Sequence, residues 1–538
     1  MHGAEVSSLS AQGRLRLLVE ASAHLAGSLD LRAIARGLAR SVVPDLCDEV
    51  DVDLVEALFH PDMPAETASS VMCRVASVDG ARPDAPRQED EWIAYSPGSS
   101  AAAALAGGRT RGEESDGGRL CALYVPLRAR GRVLGVVGLR RGNGSVAYEP
   151  ADVSLAEEIV SRAALALDNV RLYDEARATS VALQRYLLPT AQPQVTGVDT
   201  AHRYLPGSRD VGVGGDWFDV ISLSCGRVAF VIGDVMGRGL RAAAAMGQLR
   251  TAVRTLAVLD HLPEDVLRHL DDLAQGTDQV QLATCVYAVF DPVERSLSYA
   301  TAGHPPPVLR GPDGATTLLP QPSGAPLGVG GVAFEGATVP VADGSRLLLY
   351  TDGLVESREV DLGDGLMLLE QTFARCSGPL DPVCDQLLES TGRGDSHDDD
   401  VALLVAELSG LESDRVATWR MPGGVESVGV SRAWVRERLE GWGLPSLVEL
   451  AELLVSELVT NALRHASGPI QLTVLLLDEI VTLAVRDAET PLPRLRRVGD
   501  GDEGGRGLQL VATLSSRWGA RPTAGGKVVW CDLPRPRT

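Results

Sequence analysis

Between Val211 and Gly239 the chain reads VGVGGDWFDV, then a short loop, then VAFVIGDVMGRG. The run Val228-Ala229-Phe230-Val231-Ile232 is too short to span a membrane and rich in β-branched residues, so it predicts a buried strand. A strand that finishes in Gly233-Asp234 sets a carboxylate on the rim of its sheet, and Gly237 and Gly239 leave the backbone room to approach a ligand. The same device recurs far downstream. Arg346-Leu347-Leu348-Leu349-Tyr350-Thr351 leads into Asp352-Gly353, and Asp398-Asp399-Asp400 opens the apolar run Val401 to Val405. Asp216 follows Gly214-Gly215. One Asp-Gly is usually only a turn. Four carboxylates at glycine-bearing strand ends, with Tyr299-Ala-Thr-Ala-Gly-His304-Pro-Pro-Pro between them, suit hard divalent cations such as Mg²⁺ or Mn²⁺, which take oxygen ligands and keep several waters.

At 538 residues the chain exceeds one hydrophobic core, and three or four domains are expected. A net charge of −22 argues against nucleic acid and anionic membrane as main partners. The eight cysteines are scattered without a Cys-x-x-Cys pair, as in a reduced compartment. No run reaches about 18 apolar residues and no charged-then-apolar leader opens the chain, so a soluble, cytoplasmic protein is expected.

Residues 1–13 read as a disordered N-terminus. Leu15 to Leu25 and Leu31 to Val43 read as amphipathic helices, with Asp30 placed to cap the second. Residues 60–118, rich in Pro, Gly, Ser and charge, read as loops around short strands such as Val71 to Val78. Leu120 to Leu127 and Val133 to Leu139 flank the turn Ala129-Arg130-Gly131 as a hairpin. Helices, an irregular middle, a VPL…G…GVVGL hairpin and a closing helix resemble a GAF domain over 14–172. That resemblance implies an α+β sensor with an unknown ligand.

Residues 151–186 read as one long helix ended by Pro189. Ala156, Ile159, Ala163, Ala166, Val170 and Tyr173 fall at heptad-like spacing. Two uses stay open: closing the sensor domain, or pairing two protomers as a homodimer through a signalling helix and linker at 173–189.

Over 190–408 the segments VGGDWFDV, IGDVMGRG, ATAGHPPP, LLLYTDGLVES and DDDVALLV occur in the order of the bacterial PPM-type (protein phosphatase 2C-like) phosphatases of the sporulation and stress-response type, which this region resembles. The resemblance implies an α/β/β/α sandwich holding two Mn²⁺ or Mg²⁺ ions. Asp234 would bridge them, the Val235 carbonyl would contribute, Asp352 and Asp399 would complete the shell, and Asp216 would bind directly or through water. Asp234 and Asp352 are thus the catalytic carboxylates. Asp399 is preferred to its neighbours because the family pattern is Asp-Asp before a β-branched residue, here Asp399-Asp400-Val401. Animal-type relatives carry Asp-Gly-His-Gly, whose His protonates the leaving group. Here the run is Asp234-Val235-Met236-Gly237, so that acid is missing, and His304 before three prolines reads as a structural hydrogen-bonder. In 190–408 only Leu240 to Leu259 reads clearly as helix.

After a linker at 409–418, residues 419–534 centre on a helix from Ser446 to Ala466 with an apolar stripe of Leu450, Leu454, Leu458 and Ala462. Glu457, Asn461 and His465 repeat at i, i+4 and i+8. The set ELVTNALRHA, VRDAE, EGGRGLQLV and GGKVVWCDL resembles the anti-sigma-factor kinase branch of the GHKL ATPases, an α/β (Bergerat) fold. The resemblance implies Mg-ATP as ligand: Asn461 on Mg²⁺, Glu457 as general base toward a protein hydroxyl, Asp487 accepting from the adenine amino group, and Gly505 and Gly507 against the phosphates. The run Asp487-Ala-Glu-Thr-Pro-Leu-Pro lacks the glycines many members carry there.

The chain thus reads as a multidomain α/β signalling protein: sensor, metal-dependent serine/threonine phosphatase and kinase-like ATPase. By resemblance its substrate is a phosphorylated anti-sigma-factor antagonist and its further partner a sigma factor. The alternative is a phosphatase whose ATPase-like domain only binds a partner. A two-component histidine kinase would need a phosphoacceptor His before the ATPase domain, and 409–445 contain none.

Overall fold

The computed structural model describes residues 9–536 except 26–27, 29, 60–70, 81–89, 116–117, 143, 188–194, 208–213, 277–281, 357–359, 393–398, 422–423, 425, 466–467, 494–505 and 524. Asp398, Pro189 and Gly505 therefore lie outside the described residues. The chain divides into two compact units, 1–179 and 180–538. Among the described residues no helix is long and apolar enough to cross a membrane.

The first unit is a six-stranded antiparallel sheet. In spatial order its strands are Glu91–Ala94, Val71–Asp79, Glu49–Val55, Arg132–Arg140, Leu120–Ala129 and Arg111–Glu114. Alternation sends Val50, Val52 and Leu54 to one face, where they pack with helices Ala11–Leu25, Leu31–Val42 and Pro150–Leu187. Asp30 caps the second helix by accepting from Arg32 N. The hairpin turns through Arg130 and Gly131, both at positive φ, the backbone of a tight turn that matches strand twist.

Three expectations change here. Residues 11–13, expected to be disordered, are helical. Residues 60–118 hold, besides strands, an alanine-rich helix, Ser100–Gly107, capped by Ser99 and closed by left-handed Gly108. The heptad-like residues Ala156, Ile159, Ala163 and Val170 are buried in this unit's own core, alongside Val160, Ala164 and Leu167. Up to Val170 the repeat closes the domain, so it is not available as a pairing seam.

The second unit begins with a two-sheet sandwich. One sheet orders its strands Ala337–Pro340, Ser296–Ala302, Ala283–Asp291, Val228–Val235 and Trp217–Ser222. The other orders Thr316–Leu318, Val308–Arg310, Ser345–Tyr350, Val401–Leu408 and Val198–Leu205. Phe218, Phe230, Ile232, Val286, Leu349, Leu404 and Ala406 fill the space between the sheets. Helices Leu240–Val258 and Pro263–Gln275 cover one outer face, and Leu362–Arg375 and Leu380–Ser390 the other. Three of these four helices are additional to the one block read from the sequence. The result is an α/β/β/α sandwich.

A third sheet of this unit follows, with order Val416–Met421, Ile470–Leu476, Ile480–Asp487, Gly526–Pro534 and Arg517–Thr523. Its first strand starts inside the stretch read as a linker. Helices Glu426–Gly441, Val448–His465 and Arg506–Leu514 lie on one face, over Leu472, Leu483, Val485 and Cys531. The other face turns Leu475, Ala484, Val528 and Trp530 onto Cys225 and Leu411. Both faces of this sheet are therefore covered, and the two domains of the unit share an apolar seam.

Candidate functional site

Antiparallel pairing explains why the distant carboxylates meet. Trp217 pairs with Gly233, so Asp216 and Asp234 stand at the same end of adjacent strands. Tyr350 pairs with Leu403 in the opposite sheet, so Asp352 and the Asp399-Asp400 pair share an end as well. Thr351 joins the two sheets. Its hydroxyl donates to Asp216 Oδ2 at 2.7 Å and its oxygen accepts from Ala402 N at 2.9 Å.

Glycine makes this crowding sterically feasible. A Cβ on Gly215 would lie 2.1 Å from the Val235 carbonyl oxygen and 2.7 Å from Asp234 Oδ1. A Cβ on Gly214 would overlap the Asp400 carboxylate at 1.5 Å, and one on Gly353 would sit 2.0 Å from the Asp400 carbonyl oxygen. Asp352 Oδ1 accepts from Gly353 N at 2.8 Å, and Asp400 Oδ1 accepts from Gly207 N at 2.8 Å.

The electrostatics are one-sided. Burial, then the neighbouring charges of Asp234 and Asp400, raise the Asp216 carboxyl well above the usual range. Burial first, with Asp352, Asp399 and Asp400 nearby, pushes Asp234 up to about 6, against the opposing effect of a hydrogen bond with Asp216. Burial and Asp399 raise Asp352. Among the bonds described at this rim the one cationic partner is Arg238, whose Nη2 lies 3.1 Å from Asp399 Oδ1, both groups being largely exposed.

No three His, Cys, Asp or Glu side chains among the described residues close on one point as a ready cage for a single ion. The donors that are present are carboxylates and a backbone carbonyl, short of positive charge. They fit ions that keep much of their water and share carboxylates. Sequence reasoning passes over Asp400 and Thr351. The triple aspartate was the available signal for the first; nothing local marks the second.

His304 is buried and fully engaged. Nε2 lies 3.0 Å from the Tyr350 carbonyl, which can only accept, so Nδ1 accepts from Thr284 Oγ1 at 2.7 Å. Burial lowers its pKa to about 4.

The C-terminal helix Val448–His465 carries the second set. A Cβ on Gly507 would lie 2.3 Å from Glu457 Oε2 and 3.7 Å from Asn461 Nδ2, so Gly507, Glu457 and Asn461 are brought together. Asn461 Nδ2 is buried without a hydrogen-bond partner among the described residues. His465 is exposed at the helix end. Asp487 is buried at the end of its strand. Its Oδ1 accepts from Lys527 Nζ at 2.8 Å and from Glu489 N at 2.9 Å.

Comparison with known proteins agrees with this division. Residues 224–409 match the family model of stage II sporulation protein E (SpoIIE), and residues 421–532 match that of the histidine kinase-like ATPase domain. The first span takes in Asp234, Asp352, Asp399 and Asp400 and begins after Asp216. Phosphoserine phosphatase RsbP of Bacillus subtilis is 28% identical over 148 residues, which are 26% of this chain and 36% of that protein. Phosphoserine phosphatase RsbU of the same organism is 25% identical over 178 residues, 33% of this chain and 52% of that protein. The chain thus spans about half, or less, of these curated relatives. A solved structure of the RsbU and RsbW domains of Rv1364c from Mycobacterium tuberculosis is 28% identical, covering 65% of this chain and 97% of that one, with a TM-score of 0.40.

Proposed function

We propose that this chain, which carries a SpoIIE-type domain followed by a histidine kinase-like ATPase domain, is a metal-dependent protein serine/threonine phosphatase. Its substrate would be a phosphorylated regulatory protein, an anti-sigma-factor antagonist, so that the output is sigma-factor-dependent transcription. The observation that carries the reading is the convergence of Asp216, Asp234, Asp352, Asp399 and Asp400 at one rim of the sandwich, from the buried Asp216 out to the exposed Asp399, where desolvation and neighbouring carboxylates raise Asp216, Asp234 and Asp352 and call for cations.

Asp216, Asp234, Asp352, Asp399 and the Val235 carbonyl are the groups that would hold two Mn²⁺ or Mg²⁺ ions. Ions bound there supply a low-pKa water as nucleophile and offset charge on the phosphoryl oxygens. The rest of the work belongs to the chain. Thr351 orients Asp216 and fixes the spacing of the two sheets. His304 ties Thr284 to Tyr350 across the same gap, and with both nitrogens engaged it leaves the leaving-group proton to solvent.

The second domain would bind Mg-ATP, with Asn461 toward Mg²⁺, Asp487 toward adenine, Gly505 and Gly507 toward phosphate, and Glu457 as base for a protein hydroxyl. Asn461 Nδ2, a buried donor without a partner among the described residues, supports an acceptor such as a phosphate oxygen beside it, which leaves Oδ1 as the atom toward Mg²⁺. The N-terminal unit would act as a GAF-like sensor, and a sigma factor would be a partner of the C-terminal domain.

The test is Mn²⁺-dependent release of phosphate from a generic phosphoester by the full chain, against Asp234→Asn and Asp352→Asn. Metal-dependent activity that falls by roughly 10²-fold or more in both variants is expected, the scale of losing a charge-stabilising group. Activity that survives in both variants would sink the reading.

A further inference from the structure

Of the 50 basic side chains in this protein, 49 are arginine and one is lysine, Lys527. That single ammonium is buried inside the C-terminal domain. It lies directly across the sheet from Asp487, its register partner. Val481, Leu483 and Val485 share one parity with Asp487, and Val529, Cys531 and Leu533 share it with Lys527. All six pack in the core beneath the helices. The pair therefore projects toward the helical face of the sheet, the face that carries Glu457, Asn461 and Gly507.

The valences of the pair are only partly used by described partners. Lys527 Nζ donates to Asp487 Oδ1 at 2.8 Å and to the Glu489 carbonyl at 3.2 Å, which takes two of its three hydrogens. Both bonds described at Asp487 fall on Oδ1. An acceptor, Oδ2, and a donor, the third N–H, thus stand side by side. An adenine presents the complementary edge: its 6-amino group donates and its N1 accepts. Arginine would fill this space with a planar five-donor fork, whereas lysine brings one compact point donor.

The same strand answers a gap in the loop after Asp487, which has no glycine. A Cβ on Gly526, at φ +141°, would lie 1.9 Å from the Asp487 carbonyl oxygen and 2.7 Å from Ala488 Cα. The closing hairpin, not the loop, supplies the bare backbone, and the next residue supplies the ammonium.

Resting on the nucleotide reading above, we propose that Lys527 is a base-specificity residue: it donates to N1 of adenine while Asp487 accepts from the 6-amino group. The pair, rather than the aspartate alone, reads the base.

Titration of the full-length protein with ATP and with 1-deaza-ATP, in which N1 is replaced by C–H, tests this on the unaltered chain. The expected result is binding of ATP with Mg²⁺ and a loss of about tenfold or more for 1-deaza-ATP, the scale of a buried hydrogen bond to a charged group. Lys527→Met should lower ATP affinity to a similar degree and bind the two nucleotides alike, with its melting temperature reported alongside. Equal affinity of the unaltered protein for ATP and 1-deaza-ATP overturns the proposal even if the variant fails to fold. A variant that weakens both nucleotides equally while keeping the preference for ATP shows a bracing role and also overturns it. No binding of either nucleotide by the unaltered protein overturns the nucleotide reading itself, a separate failure.

Discussion

The two candidate sites of the second unit handle buried charge in opposite ways. At the rim of the sandwich, Asp216, Asp234 and Asp352 are each raised by burial and by other carboxylates. In the C-terminal sheet the buried Asp487 faces an ammonium at 2.8 Å. One site is electrostatically unfinished and needs a ligand of opposite sign. The other carries its own counter-charge and needs a ligand that fits a donor and an acceptor already in place. Buried like charges cost stability, whereas a paired and hydrogen-bonded ion is tolerated. The contrast teaches that a cluster of aspartates and a lone buried aspartate are different functional signals.

The sharpest way to break the comparison is pH. Asp234 is raised from the ordinary carboxylate value to about 6. A raised carboxyl contributes stability that is fully present below its unfolded pKa, near 4, and is lost as pH rises through about 6. Asp216 and Asp352 shift in the same direction. Metal-free protein should therefore lose about 3 kcal/mol from Asp234 alone between pH 4 and 7, at about 1.4 kcal/mol per unit. Adding Mn²⁺ at pH 7 should restore it. Thermal melts of the chelated and Mn²⁺-loaded protein, with Asp234→Asn as the reference, read this out. A parent and variant whose melts track each other across the range would remove the claim that the rim is unfinished.

Two buried threonines sharpen it further. Thr351 donates to Asp216 in the sandwich and Thr482 donates to Asp532 at 2.6 Å in the C-terminal sheet. Thr351→Val and Thr482→Val should each cost about 1–3 kcal/mol by leaving a buried acceptor without its donor. Only Thr351→Val should slow phosphate release, because only Asp216 belongs to the proposed metal rim. Equal activity of the two variants would reduce Thr351 to a packing residue.

Much of this was legible in the residues. Strand ends were marked by apolar runs stopping at Gly-Asp, because a fully buried strand must be apolar and its exit must be tight. Asp30 as a cap and the Arg130-Gly131 turn followed from side-chain and backbone preference alone. Helices were less legible. Pro263 at a first helical position, with Glu264 and Asp265 behind it, is a start signal, yet between strong strand patterns it is easily passed over. The heptad spacing of Ile159 and Val170 looked the same whether it served a partner or the domain's own core, since periodicity reports an apolar face and not what covers it. Lys527 was invisible for a related reason. Its meaning lies in a cross-strand register with Asp487, 40 residues away, which no local pattern encodes.

Asn461 gives the smallest expected effect on stability and the clearest separation of the two regions. Its Nδ2 is buried and has no hydrogen-bond partner among the described residues, so the folded protein without ligand gains little from it. Truncating a side chain that leaves no partner behind avoids the penalty of an orphaned group. Asn461→Ala should therefore shift stability by less than about 1 kcal/mol, within the range of substitutions that break no described interaction. Nucleotide affinity should nevertheless fall roughly tenfold or more, since the amide is held ready for a ligand. Mn²⁺-dependent phosphate release should stay within about twofold of the parent, because the substitution touches none of the rim residues. Melting, nucleotide titration and phosphate release on one preparation test all three. If Asn461→Ala destabilised the fold by several kcal/mol, the residue would be structural and the orphaned amide would no longer point to a ligand. If it left nucleotide affinity intact, Asn461 would have no part in holding the nucleotide.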